Sequence, residues 1–63
     1  MPIVNVKMIK GRTLKQKREM VKEVTDSIAK TLNCDKEAVR IIITELDKAD
    51  ISVGGVLRLD KES

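Results

Sequence analysis

Pro2 has both a type and a place that could do chemistry, because it directly follows the initiator methionine in MPIVNVKMIKGR. A small second residue usually permits removal of Met1, and the proline nitrogen then becomes a secondary amine at the chain terminus. That group is a base and a potential nucleophile. With Met1 attached, the same nitrogen is a tertiary amide and is neither. Pro2 also suits a purely structural role: proline brings no amide hydrogen to a ladder and is tolerated as the first residue of a strand.

The rest of the composition narrows the chemistry. Cys34 is the single cysteine and histidine is absent, so neither a disulfide nor a Cys/His zinc site can form within the chain. With no histidine to activate it, Cys34 reads as a small buried or semi-buried residue without a catalytic role. The 13 basic and 10 acidic residues leave a formal charge of +3. That mild excess favours small anionic molecules and does not call for nucleic acid. Phe, Tyr and Trp are all missing, so bases have no ring to stack on. No stretch approaches the roughly 18 apolar residues of a membrane span, and no secretory h-region opens the chain. No membrane role and a cytoplasmic location are expected.

These groups need elements to position them. Ile3 to Ile9 alternates as a strand does, with Val4, Val6 and Met8 on one face and Asn5 and Lys7 on the other, between Ile3 and Ile9. Gly11 supplies a turn, and TLKQ (13–16) has the form of a capping box, so a helix is expected from Leu14. Leu14, Val21, Val24, Ile28 and Leu32 recur at helical spacing as an apolar stripe, and Asn33 is a plausible stop. The basic run KQKR (15–18) is followed by Glu19, Glu23 and Asp26 within helical reach and reads as a solvated face. DKEA (35–38) suits one capped turn. VRIIITEL (39–46) is β-branched and almost continuously apolar, as in a strand covered on both faces. DISVGGVLRL (50–59) carries the Gly-Gly signal of a hairpin flanked by short extended pieces.

Strand, helix and strand in this order make a βαβ unit with parallel strands, hence an α/β (α+β) fold in a single domain over residues 1–63. If the two strands are neighbours, Pro2 and Arg40 lie at the same sheet edge. Arg12, in the loop leaving the first strand, lies at the opposite edge and joins them only through oligomerisation or return of the loop. One helix covers one face of the sheet, so the other face needs another subunit. Size agrees, since a chain this short derives only about 3 to 5 kcal/mol from its own core.

Pro2, Arg12 and Arg40 on such a unit resemble the 4-oxalocrotonate tautomerase family of the tautomerase superfamily. The likeness runs through PIVNVKMIKGR, the QK after the helix cap, VRIIITEL and the VGG before the tail, and so covers essentially the whole chain. It implies a homohexamer built as a trimer of dimers, Pro2 as catalytic base at the mature N-terminus, and no cofactor. It also implies interconversion of enol and keto forms of unsaturated 2-oxo acids, typically 2-hydroxymuconate and 2-oxohex-3-enedioate. By the same resemblance Arg40 takes the carboxylate and 2-oxygen end of the substrate, and Arg12 takes the distal carboxylate. An aromatic residue commonly stands in the family where this chain has Ile51, so the pocket wall is expected to stay apolar with a different shape.

The chemistry of these residue types fits. Ketonisation moves a proton from oxygen to a distant carbon, so one group must take it, hold it and return it. An α-amino group, with a reference pKa of about 7.7 to 8.0, needs only modest depression to do this at neutral pH. Nearby guanidinium groups and an apolar wall both disfavour the ammonium form. Guanidinium forks also match carboxylates bidentately and can stabilise charge developing on the 2-oxygen.

Three competing expectations remain. Arg40 could be a surface ion-pair partner of Glu45 or Asp35. The chain could be a non-catalytic oligomer of the same fold. It could also be a ribbon-helix-helix DNA-binding protein, although Ile41, Ile42, Ile43 and Thr44 form strand more readily than the second helix that class requires.

Overall fold

The computed structural model describes residues 1–61. It is an α+β structure in which strand β1 (Ile3–Ile9), helix α1 (Leu14–Leu32) and strand β2 (Arg40–Leu46) form a βαβ unit. A hairpin of β3 (Ser52–Val53) and β4 (Val56–Leu57) follows, then a short helix α2 (Arg58–Lys61). β1 and β2 pair in parallel, with Ile3 opposite Arg40 and Ile9 opposite Leu46. The amide of Lys10 extends this ladder by one rung, donating to the Leu46 carbonyl at 2.9 Å.

α1 begins where the capping box requires. The Gln16 amide donates to Thr13 Oγ1 at 3.1 Å, and the Thr13 amide donates to Gln16 Oε1 at 2.9 Å, so two amides without helical partners are satisfied reciprocally. The helix stops at Asn33, whose left-handed backbone (φ 53°, ψ 57°) turns the following Cys34 amide back to the Ala29 carbonyl at 3.0 Å. The turn Lys36–Ala38 is a 3-10 turn held by backbone bonds, Ala38 to Asp35 and Val39 to Lys36, both at 3.0 Å. The Asp35 side chain makes no capping bond there. The expected capped turn therefore exists without its side-chain cap.

Side-chain alternation gives the sheet two unlike faces. Val4, Val6, Met8, Ile41 and Ile43 are half-buried on the side where Lys17 of α1 reaches Glu45 of β2 at 2.8 Å. On the opposite face Ile3 and Ile42 are 59% and 52% exposed. β2 is thus covered on one face only within the chain, although its sequence suits cover on both. No hydrophobic residue among the described residues is fully buried. The Cα radius of gyration is 14.9 Å, against about 10.6 Å for a compact chain of this length. This is the shape of a plate rather than a closed core.

Three local expectations are corrected. Leu14 and Leu32, read as ends of the buried stripe, are 60% and 62% exposed, because a 19-residue helix outreaches two 7-residue strands. Lys17 of the basic run crosses to Glu45, while Asp26 pairs with Lys22 (3.3 Å) and with Lys36 of the following turn (3.0 Å). The residues after the hairpin are helical from Arg58 instead of extended. The hairpin itself is the one the sequence predicts: Gly54 and Gly55 both have positive φ, 62° and 83°, as a type I′ turn demands.

Candidate active site

The parallel register brings Pro2 and Arg40 together. Pro2 stands immediately before β1, and its carbonyl accepts a 3.0 Å hydrogen bond from the Arg40 amide, the rung before the Ile3–Arg40 pair. A proline costs this rung nothing, because only its carbonyl is used. The Arg40 side chain lies on the sheet face turned away from α1, two residues from the exposed Ile42, and its Nε–H donates to the thioether of Met1 at 3.2 Å. Among the described residues it pairs with no carboxylate. Glu45, one of the two partners considered for it, is taken by Lys17.

Arg12 and Ile51 stand at the other end of the sheet. β1 carries the chain roughly 20 Å from Pro2 at about 3.3 Å per residue, and Gly11 (φ 127°) turns it into Arg12. Arg12 is exposed, makes no ion pair among the described residues, and lines two depressions. One lies between β1 and the start of α1, beside Met8, Gln16, Lys17 and Met20. The other, of about 400 Å³, is formed with Met8, Ile9, Lys10, Gly11 and Arg58. Ile51 follows the 3-10 turn Lys48–Asp50 in extended conformation, and its carbonyl accepts the Arg58 amide at 2.8 Å.

One chain therefore splits the candidate residues between the two sheet edges. Pro2 and Arg40 share one edge; Arg12 and Ile51, the expected wall residue, share the other. Arg58 is the residue that inspection of the sequence passed over at the Arg12 edge. A signal for it existed: a two-residue Gly54-Gly55 turn pairs 53 with 56 and 52 with 57, so the next rung joins 51 to 58.

Asp26 on α1 faces two ammonium groups, Lys22 at 3.3 Å and Lys36 at 3.0 Å. Hydrogen bonds from Lys36 and Lys22 hold its carboxyl below the usual range. The pair with Lys36 links α1 to the turn that leads into Arg40.

The arrangement has known counterparts. Residues 2–60 match the family described as tautomerase enzyme, and the chain belongs to that family. A probable tautomerase of Staphylococcus epidermidis is 43% identical over 61 residues, covering 97% of this chain and all of that protein. Among solved structures, one from a study of the 4-oxalocrotonate tautomerase isozymes of Methylibium petroleiphilum superposes with a TM-score of 0.93 at 34% identity, covering 97% of this chain and 95% of that one. A heterohexameric 4-oxalocrotonate tautomerase of Chloroflexus aurantiacus superposes with a TM-score of 0.89 at 27% identity, covering 95% and 97%. Fold and sequence thus agree on the 4-oxalocrotonate tautomerase family. No helix among the described residues is long and apolar enough to cross a membrane.

Proposed function

We propose that this protein is a cofactor-independent isomerase that interconverts enol and keto forms of an unsaturated 2-oxo acid such as 2-hydroxymuconate. The observation that carries the proposal is the juxtaposition of Pro2 with Arg40, joined through the backbone at 3.0 Å, in a chain of the tautomerase family.

In this mechanism Met1 is removed and the Pro2 nitrogen becomes a secondary amine. The amine takes the proton of the 2-hydroxyl group, electron density shifts through the conjugated chain, and the same proton returns to a distant carbon. Proton and electron counts close without a redox partner. Arg40 binds the carboxylate beside the reacting oxygen and stabilises the charge that develops on it. Its guanidinium also opposes protonation of the neighbouring amine, which keeps the base neutral near pH 7.

Arg12 binds the distal carboxylate, and Ile51 supplies part of the apolar wall. Since both stand at the far edge of their own chain, the complete site takes Pro2 and Arg12 from different subunits. A homo-oligomer, six subunits as three dimers, supplies that meeting and covers the face bearing Ile3 and Ile42. The test is loss of 2-hydroxymuconate followed by ultraviolet absorbance. The processed protein should turn it over, and Pro2→Ala, which leaves a primary amine, should be impaired. Absence of turnover by processed protein would favour a non-catalytic oligomer of the same fold.

A further inference from the structure

We propose that Arg58 is a second substrate-binding arginine, which clamps the distal carboxylate together with Arg12 and sets a preference for dicarboxylic over monocarboxylic substrates. The inference rests on the isomerase reading above and assigns a role to a residue outside it.

Arg58 and Arg12 line one cleft of about 400 Å³, with Ile9, Lys10 and Gly11 between them. The two arginines come from separate parts of the chain: Arg12 from the loop after β1, and Arg58 from the end of the hairpin. Arg58 is held there by its backbone, through the 2.8 Å bond from its amide to the Ile51 carbonyl. Gly11 in the cleft lining has a φ of +127°, which disfavours any other residue there.

Charge gives the cleft its ligand. Three cations border it, and Lys10 Nζ lies 3.7 Å from a carboxylate oxygen of Asp47. Two guanidiniums in one cleft repel each other, and a carboxylate placed between them relieves the repulsion while accepting hydrogen bonds from both. Arg58 also has a further interaction, which is compatible with this role because a guanidinium carries five N–H donors. Apolar Ile9 and Met8 beside the cations suit the carbon chain that leads to such a carboxylate.

The experiment compares Arg58→Leu and Arg58→Lys with wild type on two enols, 2-hydroxymuconate and the monoacid 2-hydroxypenta-2,4-dienoate. The dicarboxylate-to-monoacid ratio of kcat/KM should fall about tenfold in Arg58→Leu, through KM of the dicarboxylate, and should recover substantially in Arg58→Lys. An unchanged ratio overturns the proposal and leaves the isomerase reading standing. If wild type turns over neither acid, that reading falls, and calorimetry with the unreactive dicarboxylate cis,cis-muconate decides on Arg58. Binding about tenfold weaker to Arg58→Leu supports the clamp, and equal binding overturns it.

Discussion

The amide of Arg40 donates to the carbonyl of Pro2 at 3.0 Å, so the first residue of β2 and the residue that precedes β1 are fixed at one edge of a parallel sheet. The bond uses the side of proline that can take part in a ladder and leaves its nitrogen outside it. The backbone thereby sets the Pro2 nitrogen and the Arg40 main chain at the same sheet edge.

Removing either arginine of the proposed site should cost activity. A hydrogen bond to a charged group is worth about 1.5 to 3 kcal/mol, so Arg12→Ala and Arg40→Ala should each lose roughly ten- to a hundredfold in kcat/KM. Arg40→Ala should also lower kcat, because its partner charge grows in the transition state. Wild-type steady-state kinetics in both variants would refute the assignment.

The uncovered sheet face predicts assembly. Ile3 and Ile42 are more than half exposed in the single chain, and burying such a side chain is worth about 1.5 to 3 kcal/mol. Sedimentation at micromolar concentration should show an oligomer, and Ile42→Lys should dissociate or unfold it. A stably folded wild-type monomer is the contrary result.

Much of this was written in the sequence, and the exceptions have physical causes. The capping box, the Asn33 stop and the Gly54-Gly55 turn are local signals that act as their residues dictate, and the parallel pairing follows from the strand–helix–strand order. The exposure of Leu14 and Leu32 depends on the relative lengths of helix and strands, which helical periodicity does not encode. Likewise, the Lys17–Glu45 pair and the cleft shared by Arg12 and Arg58 join residues distant in the chain. Helical spacing favoured local partners for Lys17, and the extended reading after the hairpin hid Arg58.

Ile51 offers a probe of the pocket wall. Ile51→Phe should shift substrate preference and keep the fold, with overpacking costing up to about 1 to 3 kcal/mol. Ile51→Asp should raise the pKa of the Pro2 amine in the neighbouring subunit, since a carboxylate favours the ammonium form. An unchanged pH–rate profile in Ile51→Asp would put Ile51 outside the pocket.

Asp26 predicts a pH-dependent stability. Its carboxyl is held below the ordinary value by Lys36 and Lys22, so the folded state binds its proton less readily than the unfolded state. The stabilisation is complete above the unfolded pKa, about 3.9, and is lost as pH falls through the lower folded value. At low salt, Asp26→Asn should melt slightly below wild type near neutral pH, with the gap closing in strong acid. A gap that widens in acid would contradict the assignment.

The central claim is that the Pro2 nitrogen is the base, and the state of the N-terminus tests it most directly. Protein whose Met1 is removed, verified by mass spectrometry, should be compared with protein that retains Met1 or carries an added residue before Pro2. The processed form should turn over 2-hydroxymuconate at a rate that rises with pH through an apparent pKa below that of a free α-amino group, about 7.7 to 8.0. The blocked form, with a tertiary amide at Pro2, should be inactive. Equal turnover by the two forms would mean that Pro2 only begins a strand.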